Sequence, residues 1–308
     1  MTTYGFFGPA GTFTEMALNG WAPAAGAPRT AYASVDATLA AVRLGEIDAG
    51  MVPIENSVEG GVSATLDALA VGDPLVVIGE VLVPITFVLA GVPGTTLADV
   101  TAVGTHSHGW AQVRGWMATH LPEATYVPTL STAAAAEGLA VEHRGQANYQ
   151  AAVCAPVAAS NHDLAILAED IGDIRGAVTR FVLVARPGTL PERTGADKTT
   201  LVIYQRQDRA GGLLEFLEQF ATRGININRL ESRPTKQSMG SYCFSIDCEG
   251  HLDDERVAEA LMGLKRVCAD VVFLGSYARA DGQSANVAPL TTNADFTAAR
   301  AWLDDLRS

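Results

Sequence analysis

Through residues 4–185, short apolar segments alternate with amphipathic stretches, and Gly, Pro or polar turns separate them. That alternation predicts βαβ units and a mostly parallel sheet, because parallel neighbours need a crossover between them. Tyr4 to Phe7 reads as a strand, and GPAGTFTE (Gly8 to Glu15) as the turn into a helix. Its glycines permit a tight turn, and Thr12 with Glu15 fits a capping box. Ser34 to Leu44 reads as a helix with Ser34 as N-cap and Gly45 as its stop. Ala49 to Pro53 is the next strand, followed by the polar run PIENSVEGG and a helix carrying Leu66 and Leu69. Leu75 to Ala90 is β-rich and broken at Pro84, which suits two strand segments carrying the chain from one lobe into another.

The pattern then restarts. Strands are expected at Thr101 to Gly104, Tyr126 to Pro128, Ala151 to Val153 and Leu164 to Leu167. Helices are expected at Ser107 to His120, Ser131 to Val141 and Pro156 to Ser160. The strand AVTRFVLVA, Ala177 to Ala185, closes the series. Two such lobes leave a cleft between them. Residues 188–197 are rich in Pro, Gly and polar side chains and read as a linker after a region spanning 1–187. Beyond it, residues 198–278 read βαββαβ, a ferredoxin-like sandwich. Its strands are expected at Thr199 to Tyr204, Ile225 to Glu231, Tyr242 to Asp247 and Val271 to Leu274, and its helices at Gly211 to Arg223 and Asp253 to Val267. Residues 279–308 form a polar tail with a short helix whose Phe296, Leu303 and Leu306 are expected to dock on the body.

Chemistry in open α/β sheets gathers at strand ends. Thr179 offers a hydroxyl there and Arg180 a planar cation that fits a carboxylate, although these residues alone also fit an ordinary strand with a solvated edge. Glu55, Asn56 and Ser57 follow a strand in the same way and equally fit a polar helix-capping loop. The Gly8–Phe13 turn puts a helix N-terminus where an anion can bind, without the lysine of a phosphate loop. The formal net charge of −13 argues against nucleic acid and requires an anionic substrate to meet its own local cation. His106 and His108 form an HxH pair with no third ligand at a telling spacing, so no metal is assigned, although His106 is a candidate to face the cleft. Cys154, Cys243, Cys248 and Cys268 form no CxxC pair and read as reduced and buried. No leader pattern and no apolar run of membrane-spanning length is present, so a cytoplasmic protein is expected.

Three separated segments, GPAGTFTE, PIENS and TRF, resemble the prephenate dehydratase family. STAAAA from Ser131 and AAVCAPVAA resemble further blocks of it. The βαββαβ unit resembles an ACT domain, and its RGININRLESRPTK is similar to the phenylalanine-responsive ACT signature. Ala177 stands where the family often has asparagine, Gly212 where it has alanine, and His106-Ser107-His108 where it has a His-Pro-Gln-like segment, although Gln112 fits.

The resemblance implies a two-lobed α/β catalytic region like periplasmic binding proteins, a C-terminal ACT domain, and conversion of prephenate to phenylpyruvate, carbon dioxide and water. It implies no cofactor or metal. Thr179 would contact the departing hydroxyl, Arg180 a carboxylate and Phe181 the ring. Glu55 would donate a proton or orient Asn56 and Ser57, and the turn of Gly8, Pro9, Gly11, Thr12 and Phe13 would take the second carboxylate. L-Phenylalanine would bind near Gly211, Leu213, Asn226, Leu230, Glu231, Ser232, Arg233 and Pro234 in a homodimer or homotetramer. Two alternatives stay open, an arogenate dehydratase and a non-catalytic amino-acid-binding regulator.

Overall fold

The computed structural model describes residues 1–58, 60–140, 146–235 and 242–308. The chain opens with β1 (Tyr4–Phe7), α1 (Phe13–Gly20), β2 (Arg29–Tyr32), α2 (Val35–Leu44), β3 (Ala49–Asn56), β4 (Gly60–Gly61), α3 (Ser63–Ala70), β5 (Val76–Pro84) and β6 (Val88–Gly91). It continues through β7 (Ala102–Thr105), α4 (Ser107–Ala111), α5 (Arg114–His120), β8 (Thr125–Pro128), α6 (Thr132–Glu137), β9 (Ala151–Cys154), α7 (Pro156–Asn161), β10 (Ala165–Ala168) and β11 (Val178–Ala185). Then follow β12 (Asp197–Tyr204), α8 (Gly212–Ala221), β13 (Ile227–Pro234), β14 (Tyr242–Glu249), α9 (Glu255–Val267), β15 (Asp270–Ala278) and α10 (Asn293–Asp305).

Several boundaries follow directly from local chemistry. Ser34 caps α2 through its hydroxyl, and Gly45 ends it in the left-handed region. β3 runs past the expected Pro53 to Asn56, because Glu55 and Asn56 pair with Gly61 and Gly60 of β4. The expected helix from Ser107 to His120 is two helices. The break at Gln112–Val113 is held by Asp173, whose carboxylate accepts from the Gly115 and Trp116 N–H groups at 2.7 and 2.9 Å, and whose own N–H donates to Gln112 at 2.7 Å. A carboxylate supplied from elsewhere in the chain thus caps α5, and helical periodicity alone does not show it. Strand β2 is polar and mostly exposed, so it carries no apolar alternation to read. The Val141 end of the expected helix lies outside the described residues.

The chain packs as two compact units, 1–62 with 81–181, and 63–80 with 182–308. Strands β5 and β11 cross the boundary partway along their length. One sheet has the order β2-β1-β3-β11-β5, with β1 parallel to β2 and β3. The next has the order β10-β6-β9-β7-β8, and here the expectation of parallel pairing holds only in part. β7 is parallel to β8 and β9, while β6 is antiparallel to β9 and to β10. β6 follows β5 after a short break and joins a different sheet, where it runs against both of its neighbours, β9 and β10. Phe87, Leu89, Val103, Val113, Met117, Val153 and Ile171 form the core beneath it.

In the second unit, β12, α8, β13, β14, α9 and β15 form the expected βαββαβ sandwich, with strand order β13-β14-β12-β15 and antiparallel pairs throughout. Leu201, Ile203, Phe216, Phe220, Ile246 and Leu264 are the core of its helix-covered side. The same unit holds α3 and the start of β5. Lys198 Nζ donates to both Glu80 carboxylate oxygens at 3.0 and 2.9 Å, and Tyr204 donates to the Ala70 carbonyl at 2.8 Å. Gly275 has φ +124°, and a Cβ there would collide with the Val77 carbonyl, so only glycine allows that approach. The terminal helix α10 is capped by Thr292 and Asp295 and tied to α9 by Arg300–Glu255. Its Leu303 and Leu306 stay exposed instead of docking as expected. Among the described residues no helix is long and apolar enough to cross a membrane.

Candidate active site

A cavity of about 420 Å³ lies within the first unit. Phe7, Gly8, Thr12, Phe13 and Thr14 line it from the β1–α1 turn, Pro53 and Asn56 from β3, and Thr179 and Phe181 from β11. Ile85 and Phe87 close it from the passage into β6. His106, His108, Gly109 and Gln112 stand at α4, and Leu130, Ser131 and Thr132 at the start of α6. Four of the five strand-end motifs read from sequence or from resemblance therefore reach one cavity wall: the GPAGTF turn, PIEN, TRF and the start of STAAAA.

The turn before α1 is built around Gly11. Its φ is +83°, and a Cβ would sit 3.1 and 3.2 Å from Ala158 atoms. Glu15 reaches back to accept from the Gly11 N–H at 2.5 Å, and Thr12 Oγ1 accepts from the Glu15 N–H at 3.4 Å. The Gly11 amide is thus engaged with Glu15, while Thr12, Phe13 and Thr14 present the helix start to the cavity. Pro9, joined to Gly8 by a cis peptide, is exposed and off the cavity wall.

Thr179 is 7% exposed and its Oγ1 accepts from Asn56 Nδ2 at 2.7 Å. The orientation of that amide is fixed from its other end, because Asn56 Oδ1 accepts from the Val58 N–H at 2.8 Å. With the amide donating, the Thr179 oxygen is the acceptor, and its own hydrogen can turn into the cavity. Ser57 does not line the cavity. It ties β3 to β11, its N–H donating to the Val178 carbonyl and its Oγ accepting from the Val178 N–H, both at 2.9 Å.

Side chains alternate along a strand. Thr179 and Phe181 line the cavity, and Arg180 between them does not. It is buried and pairs with Glu55, also off the wall, at 3.5 Å. Among the described residues the wall carries no lysine or arginine. The hydrogen-bond donors it offers an anion include the α1 N-terminus and ring N–H groups of two imidazoles. The His106 ring caps α4, with Nδ1 accepting from the His108 N–H at 3.3 Å, which leaves Nε2 to carry the proton in the neutral ring. The two rings stand 5.1 Å apart, edge to face. Phe13 and Phe87 meet edge to face at 5.6 Å and give the cavity an aromatic side. Ile85, Phe87 and Leu130 were not singled out from sequence. Ser131 caps α6, its hydroxyl accepting from the Ala134 N–H at 2.9 Å.

The regulatory candidates fall in the second unit. Gly211, at φ +81°, precedes α8, and Leu213 on its first turn is exposed. Gly212 lines a separate cavity of about 240 Å³ with Arg206, Arg209, Glu215 and Cys268, which takes in none of the β13 residues. Asn226 donates to Glu249 at 3.2 Å. On β13, Leu230, Ser232 and Pro234 are exposed, whereas Glu231 lies 3.7 Å from Arg229, and Arg233 pairs with Asp67. No group of three or more His, Cys, Asp or Glu able to hold a metal occurs among the described residues.

The sequence profile of the prephenate dehydratase family matches residues 4–189, which take in the entire cavity wall. The chain belongs to the prephenate dehydratase family. An ACT domain matches residues 199–266. A prephenate dehydratase of Amycolatopsis methanolica is 47% identical over 304 residues, covering 98% of this chain and 97% of its own. The solved prephenate dehydratase of Arthrobacter aurescens, in complex with L-Phe, is 57% identical with a TM-score of 0.93, covering 99% of each chain. These relatives are hydro-lyases, and the chain is an enzyme of that class. GqqA, described as a novel type of quorum quenching acylase, is 31% identical with a TM-score of 0.80, covering 91% of this chain and all of its own. One fold thus carries more than one chemistry, and the reaction has to be argued from the cavity's own residues.

Proposed function

We propose that the chain converts prephenate to phenylpyruvate, carbon dioxide and water, and that L-phenylalanine restrains this reaction through the ACT domain. The Asn56–Thr179 hydrogen bond carries the reading. The reaction breaks the bond from the ring to its carboxylate carbon, which leaves as carbon dioxide. That electron pair enters the ring as the C–O bond at the opposite carbon breaks, and the hydroxyl leaves as hydroxide that takes a proton from bulk solvent, relayed through the hydrogen bond at its oxygen, to become water. Aromatisation drives both cleavages, so the protein's part is to hold the dianion, give the departing oxygen a hydrogen-bond donor, and exclude other water.

Thr179 is that donor. A threonine hydroxyl is too weak an acid to give up its proton outright, so it acts as a positioned hydrogen bond or relay. Asn56 holds it with the hydrogen facing the substrate. Phe13, Phe87 and Phe181 enclose the ring, and the α1 N-terminus, Ser131, Thr132 and the two imidazoles receive the carboxylates. Arg180 and Glu55 brace the adjacent strands β3 and β11 from the face turned away from the cavity.

Residues 1–187 carry the catalysis, 198–278 the control, with a linker at 188–197 and a tail at 279–308. L-Phenylalanine as effector is supported by the complex of the Arthrobacter relative. The edge strands β13 and β15, with exposed Leu213 and Leu214, support a homodimer or homotetramer, and the cytoplasm is the expected compartment. The test is a side-by-side assay of the purified protein with prephenate and with arogenate, each with and without L-phenylalanine. Phenylpyruvate formed from prephenate and suppressed by phenylalanine is the expected result. Preference for arogenate moves the substrate, and no turnover of either favours the amino-acid-binding regulator.

A further inference from the structure

The chain that leaves the candidate active site leads straight to the effector strand. Asn56, which orients Thr179, pairs with Gly60 of β4. The Val62 N–H then donates to the Ile54 carbonyl at 2.8 Å, and α3 begins at Ser63. Thr65, Leu66 and Leu69 of α3 are buried, so this helix shifts as a packed body rather than bending residue by residue. Asp67 lies on the same helix, and its carboxylate accepts from Arg233 of β13, with Nε and a terminal nitrogen each 3.1 Å from one oxygen. The pair is about three-quarters buried at both ends. The Cys243 thiol, the partner of Arg233 in the β13–β14 register, is pushed up by burial and then by the Asp67 charge, and pulled down by Arg233.

We infer that Asp67 is the coupling residue through which β13 acts on the Asn56–Thr179 pair. An effector that shifts β13 or engages Arg233 changes the hold on Asp67, α3 moves with it, and the β3–β4 turn carries the shift to the Asn56 amide. Asp67 is not on the cavity wall and is none of the effector-site candidates. It acts through α3, and an ion pair about three-quarters buried at both ends, with Arg233 Nε donating to it, is directional enough to transmit the strand's position.

The inference rests on L-phenylalanine being the effector, and the experiment separates the two. Wild type, Asp67→Asn and the exchange pair Asp67→Arg with Arg233→Asp are compared for turnover without phenylalanine, phenylalanine binding by calorimetry, and inhibition at saturating phenylalanine. Asp67→Asn is expected to keep kcat/KM within about twofold of wild type and to bind phenylalanine. Its inhibition should shrink to less than about twofold, against a wild-type effect of roughly 5–150-fold. The exchange pair is expected to recover part of that effect. Thermal melting and basal turnover report that each variant is folded. Asp67→Asn inhibited as strongly as wild type overturns the coupling and leaves the proposed function standing. A wild type that neither binds phenylalanine nor is inhibited by it overturns both.

Discussion

Asn56 shows how much one amide decides. Its carbonyl oxygen accepts from the Val58 N–H, so its nitrogen faces Thr179, and the Thr179 hydroxyl keeps its own hydrogen for another partner. The residue types were legible in PIENS and TRF, but the direction of the hydrogen bond was not, because it depends on a turn that returns Val58 to Asn56. The opposite facing of Arg180 follows from strand alternation once β11 is recognised. Reading Arg180 as a carboxylate partner rested on its chemistry alone, and chemistry without facing does not say which side of a sheet it serves. The cysteines were legible as buried thiols, and the structure gives that burial a consequence. Burial pushes the thiols of Cys154 and Cys248 up to about 12 from 9.0. A raised thiol stabilises the fold below the unfolded value and loses that contribution as pH rises from 9.0 toward about 12. Native protein at pH about 8 should therefore react slowly with a thiol reagent at these positions and rapidly once unfolded, because the thiolate is the reactive form. Fast reaction of Cys154 or Cys248 in the native protein contradicts the burial.

At the scale of elements, the sequence was most readable where one local signal sets a boundary. Ser34 and Gly45 mark both ends of α2, and the βαββαβ order of the second unit follows from its apolar faces. It was least readable where a partner far along the chain sets the boundary. Asp173 divides α4 from α5, β4 extends β3 to Asn56, and β2 is recruited by β1 with almost no apolar pattern of its own. The inner face of α8 was legible in part: Phe216 and Phe220 are each 1% exposed, whereas Leu213 and Leu214, which the apolar pattern puts on the same face, are exposed. Phe220→Ala should cost about 3–5 kcal/mol, the loss of burial plus a cavity that neighbours fill only in part. Chemical denaturation measures it, and a cost below about 1 kcal/mol would mean that α8 does not bury Phe220 in solution.

For the whole molecule, the order of motifs was enough to reach the family before any coordinates. Periodicity tells which face of a segment is buried and not what covers it. The apolar face of α3 is plain in Leu66 and Leu69, yet nothing local says that this helix packs in one unit with β12 to β15. The reversed direction of β6 is equally a property of chain routing rather than of its residues. The proposed reaction turns on Thr179, held by Asn56, supplying the hydrogen bond at the departing hydroxyl. The measurement that tests it most directly is phenylpyruvate formation from prephenate by wild type and Thr179→Ala, with circular dichroism to show that both are folded. Wild type is expected to turn prephenate over and Thr179→Ala to lose roughly a hundredfold or more in kcat, the scale on which one positioned donor acts. A folded Thr179→Ala that turns prephenate over at close to the wild-type rate would contradict it.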